Sequence, residues 1–361
     1  MKSFALKSVA VVLLLLSCQF AVAVAVNDND RAKKEDDKKP VLPVDEMPAE
    51  LKLEVPSGFE EMPEIPSDNP QTPEKVNLGR KLFFDPILSE NGTVSCASCH
   101  QPEFGFASPD AKAIGIDGRT GKRNAPSLLN RAYGENFLWD GSAKSLEDQA
   151  LTPIGNPDEL GGSVEAVLKS IQANKDYVAE FKKVFGGEDS VNKENLAKAI
   201  ASFERTLVGG NSLVDQFRAS DYRALPQEAR TGMWLFESRA GCWKCHSGPN
   251  LSDEEFHNTG VGFGEKDRDP GRMEVSKDAK DNFAFKTPTL RGVAETGPFM
   301  HDGSVKTLKE VVEFYNKGGS KDDPELDKDI KPLDLSDEEV GFLVEFLKAL
   351  SGDEQTRYKK K

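Results

Sequence analysis

Two Cys-x-x-Cys-His pentads, Cys96-Ala97-Ser98-Cys99-His100 and Cys242-Trp243-Lys244-Cys245-His246, constrain this chain more than any other feature. Such a pentad is the attachment signal for a c-type haem: two thiols add to the vinyl groups, and the adjacent His supplies a proximal iron ligand. The chain has five cysteines and four histidines, and the pentads take every cysteine but Cys18. One zinc site built from two Cys pairs, or two separate redox pairs, is the competing reading, but neither explains why both pairs carry the adjacent His. Two covalent haems are therefore expected, on Cys96 and Cys99 and on Cys242 and Cys245, with His100 and His246 as iron ligands.

Residues 1–25 read as a signal peptide. Lys2 and Lys7 form a charged start, Val11 to Leu16 an apolar run, and Ala21-Val22-Ala23 or Ala23-Val24-Ala25 a small-x-small cleavage site. Leu15-Leu16-Ser17-Cys18 also looks like a lipoprotein signal, which would leave a lipid anchor on Cys18. Export and haem attachment together point to the periplasm. Residues 26–70, rich in Asp, Glu, Lys and Pro, have too few apolar positions to bury a core and read as a disordered linker. The formal net charge is −14. No basic patch suits nucleic acid. An acidic surface suits a basic or locally basic partner such as a small electron-carrier protein, or else serves solubility alone.

The remainder has a mainly α pattern. Thr72 before Pro73 can cap one helix, and Asn192 another running to about Val208, with Leu196, Ile200, Phe203 and Leu207 on one face. Val164, Val167, Leu168 and Ile171 form a second apolar stripe. An internal repeat organises the rest. Pro73-x5-Gly79-x2-Leu82-Phe83 precedes the first pentad, and Pro226-x5-Gly232-x2-Leu235-Phe236 the second. Pro126-Ser127-Leu128 and Trp139-Asp140-Gly141-Ser142 follow the first; Pro288-Thr289-Leu290 and His301-Asp302-Gly303-Ser304 follow the second, with 14 residues from Pro to Asp in both. Internal duplication thus predicts two haem domains, residues 71–218 and 219–355.

The halves differ where iron ligation is decided. Between His100 and His246 there is no histidine, and Met233 already belongs to the second repeat. The first iron is left with an open position able to react with peroxide, unless a ligand is borrowed from elsewhere. Superposing the repeats sets Trp139 on His301 and Pro153 on Tyr315. Proline has no donor atom, whereas a tyrosinate can ligate ferric iron. Tyr315 also falls on an apolar helix face with Leu308, Val311 and Val312, which on its own favours a core aromatic over a ligand. Gln149 and Glu159 flank Pro153: a desolvated Glu159 can relay a proton between peroxide oxygens, and Gln149 can orient peroxide. Taken alone, Asp158-Glu159 also fits solvated loop charge, and Trp139 is a core aromatic or a redox relay.

These residues resemble the bacterial diheme cytochrome c peroxidase family, including its MauG-type members, over about residues 70 to 352. Leu82-Phe83-Phe84-Asp85-Pro86, the first pentad, Arg123-Asn124-Ala125-Pro126, Trp139-Asp140-Gly141 and His301-Asp302-Gly303 carry the resemblance. It implies two cytochrome c-like haem domains with a calcium ion between them, held by Asn124, Thr296 and Pro298. It also implies a peroxide pocket of Gln149, Pro153 and Glu159, with Trp139 between the haems, and favours Tyr315 as distal ligand of the second haem. Many family peroxidases carry a distal His on a loop where this chain has Ile114-Gly115-Ile116-Asp117, so no reductive activation is expected. Tyr315 resembles the MauG-type branch, but the surface Trp of that enzyme, two residues before its second pentad, is Ala240 here.

The expected function is a periplasmic peroxidase that reacts with hydrogen peroxide at the first haem. Electrons would come from a cytochrome c or cupredoxin through the second haem. The alternatives are MauG-like oxidation of residues in a partner protein, with oxidising equivalents stored on both irons, and a non-enzymatic diheme electron-transfer cytochrome.

Overall fold

The computed structural model describes residues 55–352. The expected signal peptide, Cys18 and the first part of the linker lie outside the described residues. Helices follow in the order α1 (Pro73–Phe84), α2 (Cys96–Cys99), α3 (Leu146–Leu151), α4 (Val164–Ala173), α5 (Lys175–Phe185), α6 (Lys193–Glu204), α7 (Leu213–Arg218), α8 (Gln227–Glu237), α9 (Met273–Ser276), α10 (Leu308–Asn316) and α11 (Asp337–Lys348). Long loops join them, with one antiparallel ribbon, β1 (Phe256–His257) on β2 (Phe285–Lys286). The mainly α expectation holds.

Local chemistry sets the helix starts. Thr72 accepts the Lys75 N–H at 3.3 Å, and Pro73 stands at the first helical position, where its missing N–H leaves no bond unmade. Asn192 caps α6 by accepting the Asn195 N–H at 2.9 Å. That helix ends at Glu204, short of Val208. The Thr206 hydroxyl donates to the Phe203 carbonyl at 2.7 Å just past its end, and Leu207 is still buried in one cluster with Phe203.

The duplication is visible in packing. Helix α1 lies on α6, and α8 on α11. A Cβ on Gly79 would stand 1.8 Å from the Ala199 carbonyl oxygen, and one on the matching Gly232 would stand 1.9 Å from that of Phe342. Any side chain at either position would force the helix pair apart, so both copies need glycine. The cores around these pairs are built separately. Leu78, Leu82, Ile171, Phe181 and Ile200 fill one, Phe83, Phe106 and Phe203 a neighbouring one, and Leu235, Phe236, Leu343 and Phe346 the core of the second half.

Two boundaries differ from the sequence reading. Helix α7, assigned to the first domain, belongs by packing to the second: Val214 lies in that core with Phe217 against it. Residues 55–70, assigned to the disordered linker, are anchored. Phe59 stacks on Tyr133 at 4.1 Å under the Arg291 guanidinium, and buried Asn69 donates to Glu147 at 2.6 Å and to the Lys198 carbonyl at 3.1 Å. Composition averages over such a stretch, while one docked aromatic and one buried amide suffice to hold it.

Candidate haem sites and the junction between them

Both proximal histidines are prepared in the same way. His100 Nδ1 lies 3.0 Å from the Phe106 carbonyl and His246 Nδ1 lies 3.1 Å from that of Leu251. A carbonyl only accepts, so each Nδ1 carries the proton and each Nε2 keeps its lone pair for iron. Burial lowers the pKa of both rings, that of His246 to about 4, which keeps them neutral as ligands must be.

In the first half, α3 carries Gln149 and ends in the turn Pro153–Gly155. Backbone bonds from Leu160 to the Pro153 carbonyl at 3.2 Å and from Glu159 to that of Asn156 at 3.1 Å fold the Glu159 loop back onto this turn. Gln149 Oε1 is buried without a hydrogen-bond partner. Burial raises the Glu159 pKa against the opposing hydrogen bond from Asn156, at 2.8 Å. The charge of Glu159 is felt at both Cys96 and Cys99, which places it beside the first pentad. Asp158-Glu159 is therefore not the freely solvated pair that composition allowed. The loop of Ile114 to Asp117 closes over it, with the Ile116 N–H donating to the Glu159 carbonyl at 2.9 Å.

Glu204 was not singled out from sequence. It is buried at the end of α6, its Oε2 has no partner, and burial pushes its pKa up to about 8. The glycine contacts pair Phe203 with Phe346, so its counterpart in the second half is Leu347. Carrying the repeat through the last helix of each half would have exposed this difference.

In the second half one cavity is lined by Cys242, Cys245, His246 and Tyr315 and mainly by apolar atoms, as an aromatic macrocycle requires. Both pentad thiols and the adjacent His246 thus share one mainly apolar wall set, and the residues present fit a c-type haem. Tyr315 is half-buried near the end of α10, on the wall of this cavity; desolvation lifts its phenol to about 12, with a hydrogen bond to Thr259 acting the other way. His257 sits between Asp327, at 2.7 Å, and Asp253, at 3.0 Å. A hydrogen bond with the Cys245 sulfur is the largest influence lifting its pKa to about 10, and the two aspartates act in the same sense.

The repeat mates Trp139 and His301 meet edge to face at 6.4 Å, and Phe285 stacks on His301 at 3.5 Å. Trp139 Nε1 donates to the Asn124 carbonyl at 2.9 Å, and the Asn124 N–H donates to that of His301 at 2.7 Å. Asn124, Trp139, Thr296 and Pro298 all line the second-half cavity, so first-half residues reach into it. The Asn124 amide nitrogen is held by the Asp110 and Ala111 carbonyls, at 3.2 and 3.3 Å, which turns its oxygen away from them. Arg123 locks the junction from outside, reaching Asp269 at 2.8 and 2.9 Å and Asp140 at 2.5 Å. Ala240 is buried, whereas Trp234 and Trp243 are 62% and 51% exposed.

A family profile described as di-haem cytochrome c peroxidase matches residues 73–223. The chain is 40% identical over 288 residues to the methylamine utilization protein MauG of Methylorubrum extorquens, covering 80% of this chain and 81% of that protein. It is 37% identical over 292 residues to cytochrome c551 peroxidase of Nitrosomonas europaea, covering 80% and 84%. The solved structure of a MauG-like protein associated with microbial copper homeostasis superposes with a TM-score of 0.76 at 31% identity, covering 82% of this chain and 94% of that one. Peroxidases and MauG proteins both stand among these relatives, and both are oxidoreductases. With two haem pentads on a duplicated helical scaffold, the chain belongs to the diheme cytochrome c peroxidase and MauG family.

Proposed function

We propose that this diheme peroxidase reacts with hydrogen peroxide at the haem held by Cys96, Cys99 and His100, and that the haem held by Cys242, Cys245 and His246 relays electrons to it. When bound, the first haem supplies an iron with an open position for peroxide. The observation that carries the reading is the pairing of a buried, unpartnered Gln149 oxygen with a desolvated Glu159 on the Pro153 side of the first pentad.

A peroxide bound there would give up a proton at one oxygen and take one up at the other as the O–O bond breaks, the haem being the group that would supply the two electrons. Glu159 takes and returns that proton at its carboxylate, which burial makes a stronger base than an exposed carboxylate would be. Gln149 directs the peroxide through its amide, and Pro153 offers no group to occupy the open position. The loop at Ile114 to Asp117 presents no histidine, so the oxidised protein needs no prior reduction to react. Trp139 bridges the two sites. Asn124, Thr296 and Pro298, which line the same cavity, would hold a calcium ion there. Tyr315 would ligate the second iron, with Thr259 steadying its oxygen.

The signal-like residues before Asn27 support export to the periplasm, and among the described residues no helix is long and apolar enough to cross a membrane. The electron donor is a cytochrome c or cupredoxin. A second reading, peroxide-driven oxidation of residues in a partner protein, is favoured by Tyr315 at the second site and by the exposed Trp243 inside the second pentad. The non-enzymatic alternative does not fit an oxidoreductase family.

Optical and EPR spectra of the diferric protein, before and after stoichiometric peroxide, test both readings. One high-spin iron that reacts, followed by rapid turnover with reduced cytochrome c or a copper protein, supports the peroxidase. A long-lived oxidised state that ignores these donors supports protein oxidation. Two low-spin irons inert to peroxide would sink both.

A further inference from the structure

The polar end of the second-half cavity holds more positive charge than its own side chains balance. Lys286, on β2, is 7% exposed and lines the cavity beside Arg131, Trp139, Cys245 and His246. Arg131 donates to both oxygens of Glu254, at 2.9 and 3.0 Å, and the Lys286 Nζ stands 3.7 Å from the same carboxylate. The backbone N–H groups of Glu135 and Asn136 also reach Glu254, each at 3.3 Å. The short bond of Lys286 goes to a neutral group, the Thr287 carbonyl at 2.7 Å. Asp253, the next carboxylate whose charge reaches Lys286, is engaged by His257 at 3.0 Å. Two buried cations therefore share one carboxylate that Arg131 already saturates. Burial first, and then repulsion from Arg131, lower the Lys286 pKa to about 7, because the distant and shared Glu254 carboxylate offsets them only in part.

We propose that Lys286, backed by Arg131, is the counter-ion for a propionate of the second haem, so that the Arg131–Glu254–Lys286 cluster sets how readily that haem is reduced. This rests on the reading that Cys242 and Cys245 carry a haem. The ligand class is a carboxylate on an otherwise apolar macrocycle, and the cavity has that polarity: mainly apolar walls with Arg131 and Lys286 among the residues that line it. Lys286 is the repeat mate of Asn124, so one half places an amide and the other an amine at the same position. Its backbone N–H donates to the Trp139 carbonyl at 2.8 Å, which ties the charge to the residue between the halves. A cation at a haem carboxylate favours the ferrous state, because reduction removes positive charge from the iron.

Redox titration of the diheme protein, following each haem optically and counting haem by its pyridine complex, tests this. Lys286→Gln should keep two haems and lower the second midpoint by about 59 mV, a tenfold change in the ferric-to-ferrous ratio at fixed potential. Lys286→Arg should restore it, and Glu254→Gln should move it upward. An unchanged second midpoint in a fully loaded Lys286→Gln protein overturns the proposal. If that variant fails to fold, a fall or no change in Glu254→Gln overturns it instead. Wild-type protein with haem only at His100 defeats the two-haem reading itself, a failure the haem count tells apart.

Discussion

Helices α3 and α10 start alike and finish differently. Ser145 caps one by accepting the Asp148 N–H at 3.1 Å, and Thr307 caps the other by accepting the Glu310 N–H at 3.2 Å; each helix then opens on a leucine. Past that matched start, α3 ends at Leu151 while α10 runs on to Asn316. Pro153 explains the divergence, since its ring removes an N–H and crowds the preceding turn. The short helix leaves Gln149 beside a turn with no donor atom. The long one carries Val311 at the Gln149 position and Tyr315 at the Pro153 position. One duplicated scaffold thus sets a glutamine and a proline at two matched positions in one half and a valine and a tyrosine in the other, the difference on which the proposed roles of the two haems rest. The comparison teaches that helix length, set by one proline, separates the chemistry of the halves.

The sharpest way to break this contrast is Glu159→Gln. The rate of reaction with peroxide should fall about 10²–10⁴-fold, with the second-haem spectrum unchanged; a loss under threefold in stopped-flow measurements refutes the assigned role. The same rate should carry a pH limb. Glu159 must be ionised to accept a proton, so the rate drops as pH falls through a pKa above the ordinary carboxylate value, and the limb should vanish in the variant.

Tyr315→Phe addresses the other half. The second iron should lose its sixth ligand and turn high-spin by EPR, leaving the first site's peroxide reaction in place; an unaltered spectrum removes Tyr315 from the ligand set.

Arg291 and its repeat mate Leu129 offer a comparison in stability. Arg291 holds buried Asp215 at 2.8 and 3.1 Å and reaches the Gly58 carbonyl at 3.1 Å, whereas Leu129 only packs. Arg291→Met should cost about 3–5 kcal/mol in denaturant unfolding, against under about 1.5 kcal/mol for Leu129→Met. Despite its burial, Asp215 is held below its ordinary pKa by Arg291 and Ser212. The pair's contribution is therefore full above the unfolded carboxylate pKa and lost as pH falls through the folded one. The gap between wild type and Arg291→Met should close in acid.

The smallest effect tests symmetry itself. Gly79→Ala and Gly232→Ala should each destabilise by about 1–3 kcal/mol, because each methyl meets a backbone carbonyl of the facing helix. A large difference between them would mean that the halves pack less alike than their repeats imply.

Much of this was legible without coordinates. Thr72, Asn192 and the stripe from Val164 to Ile171 announced their helices because capping and periodicity act within a few residues of sequence. The pentads announced the haems because covalent chemistry demands fixed spacing. Lys286 and Glu204 stayed hidden for a different reason: a lysine or glutamate in a string of letters carries no sign of its solvation. Only folding puts Lys286 against Arg131 across more than a hundred residues, and only helix packing leaves Glu204 without water.

The same division holds for the whole molecule. Sequence alone determined that the chain carries two c-type haem pentads on a duplicated helical frame, with Tyr315 and Pro153 at one matched position, because these depend on residue identity and offset. Tertiary structure decided that residues 55–70 are docked, that α7 packs with the second half, and that residues of the first half line the cavity of the second. Each of these depends on which distant groups exclude water from one another, and no local pattern records that.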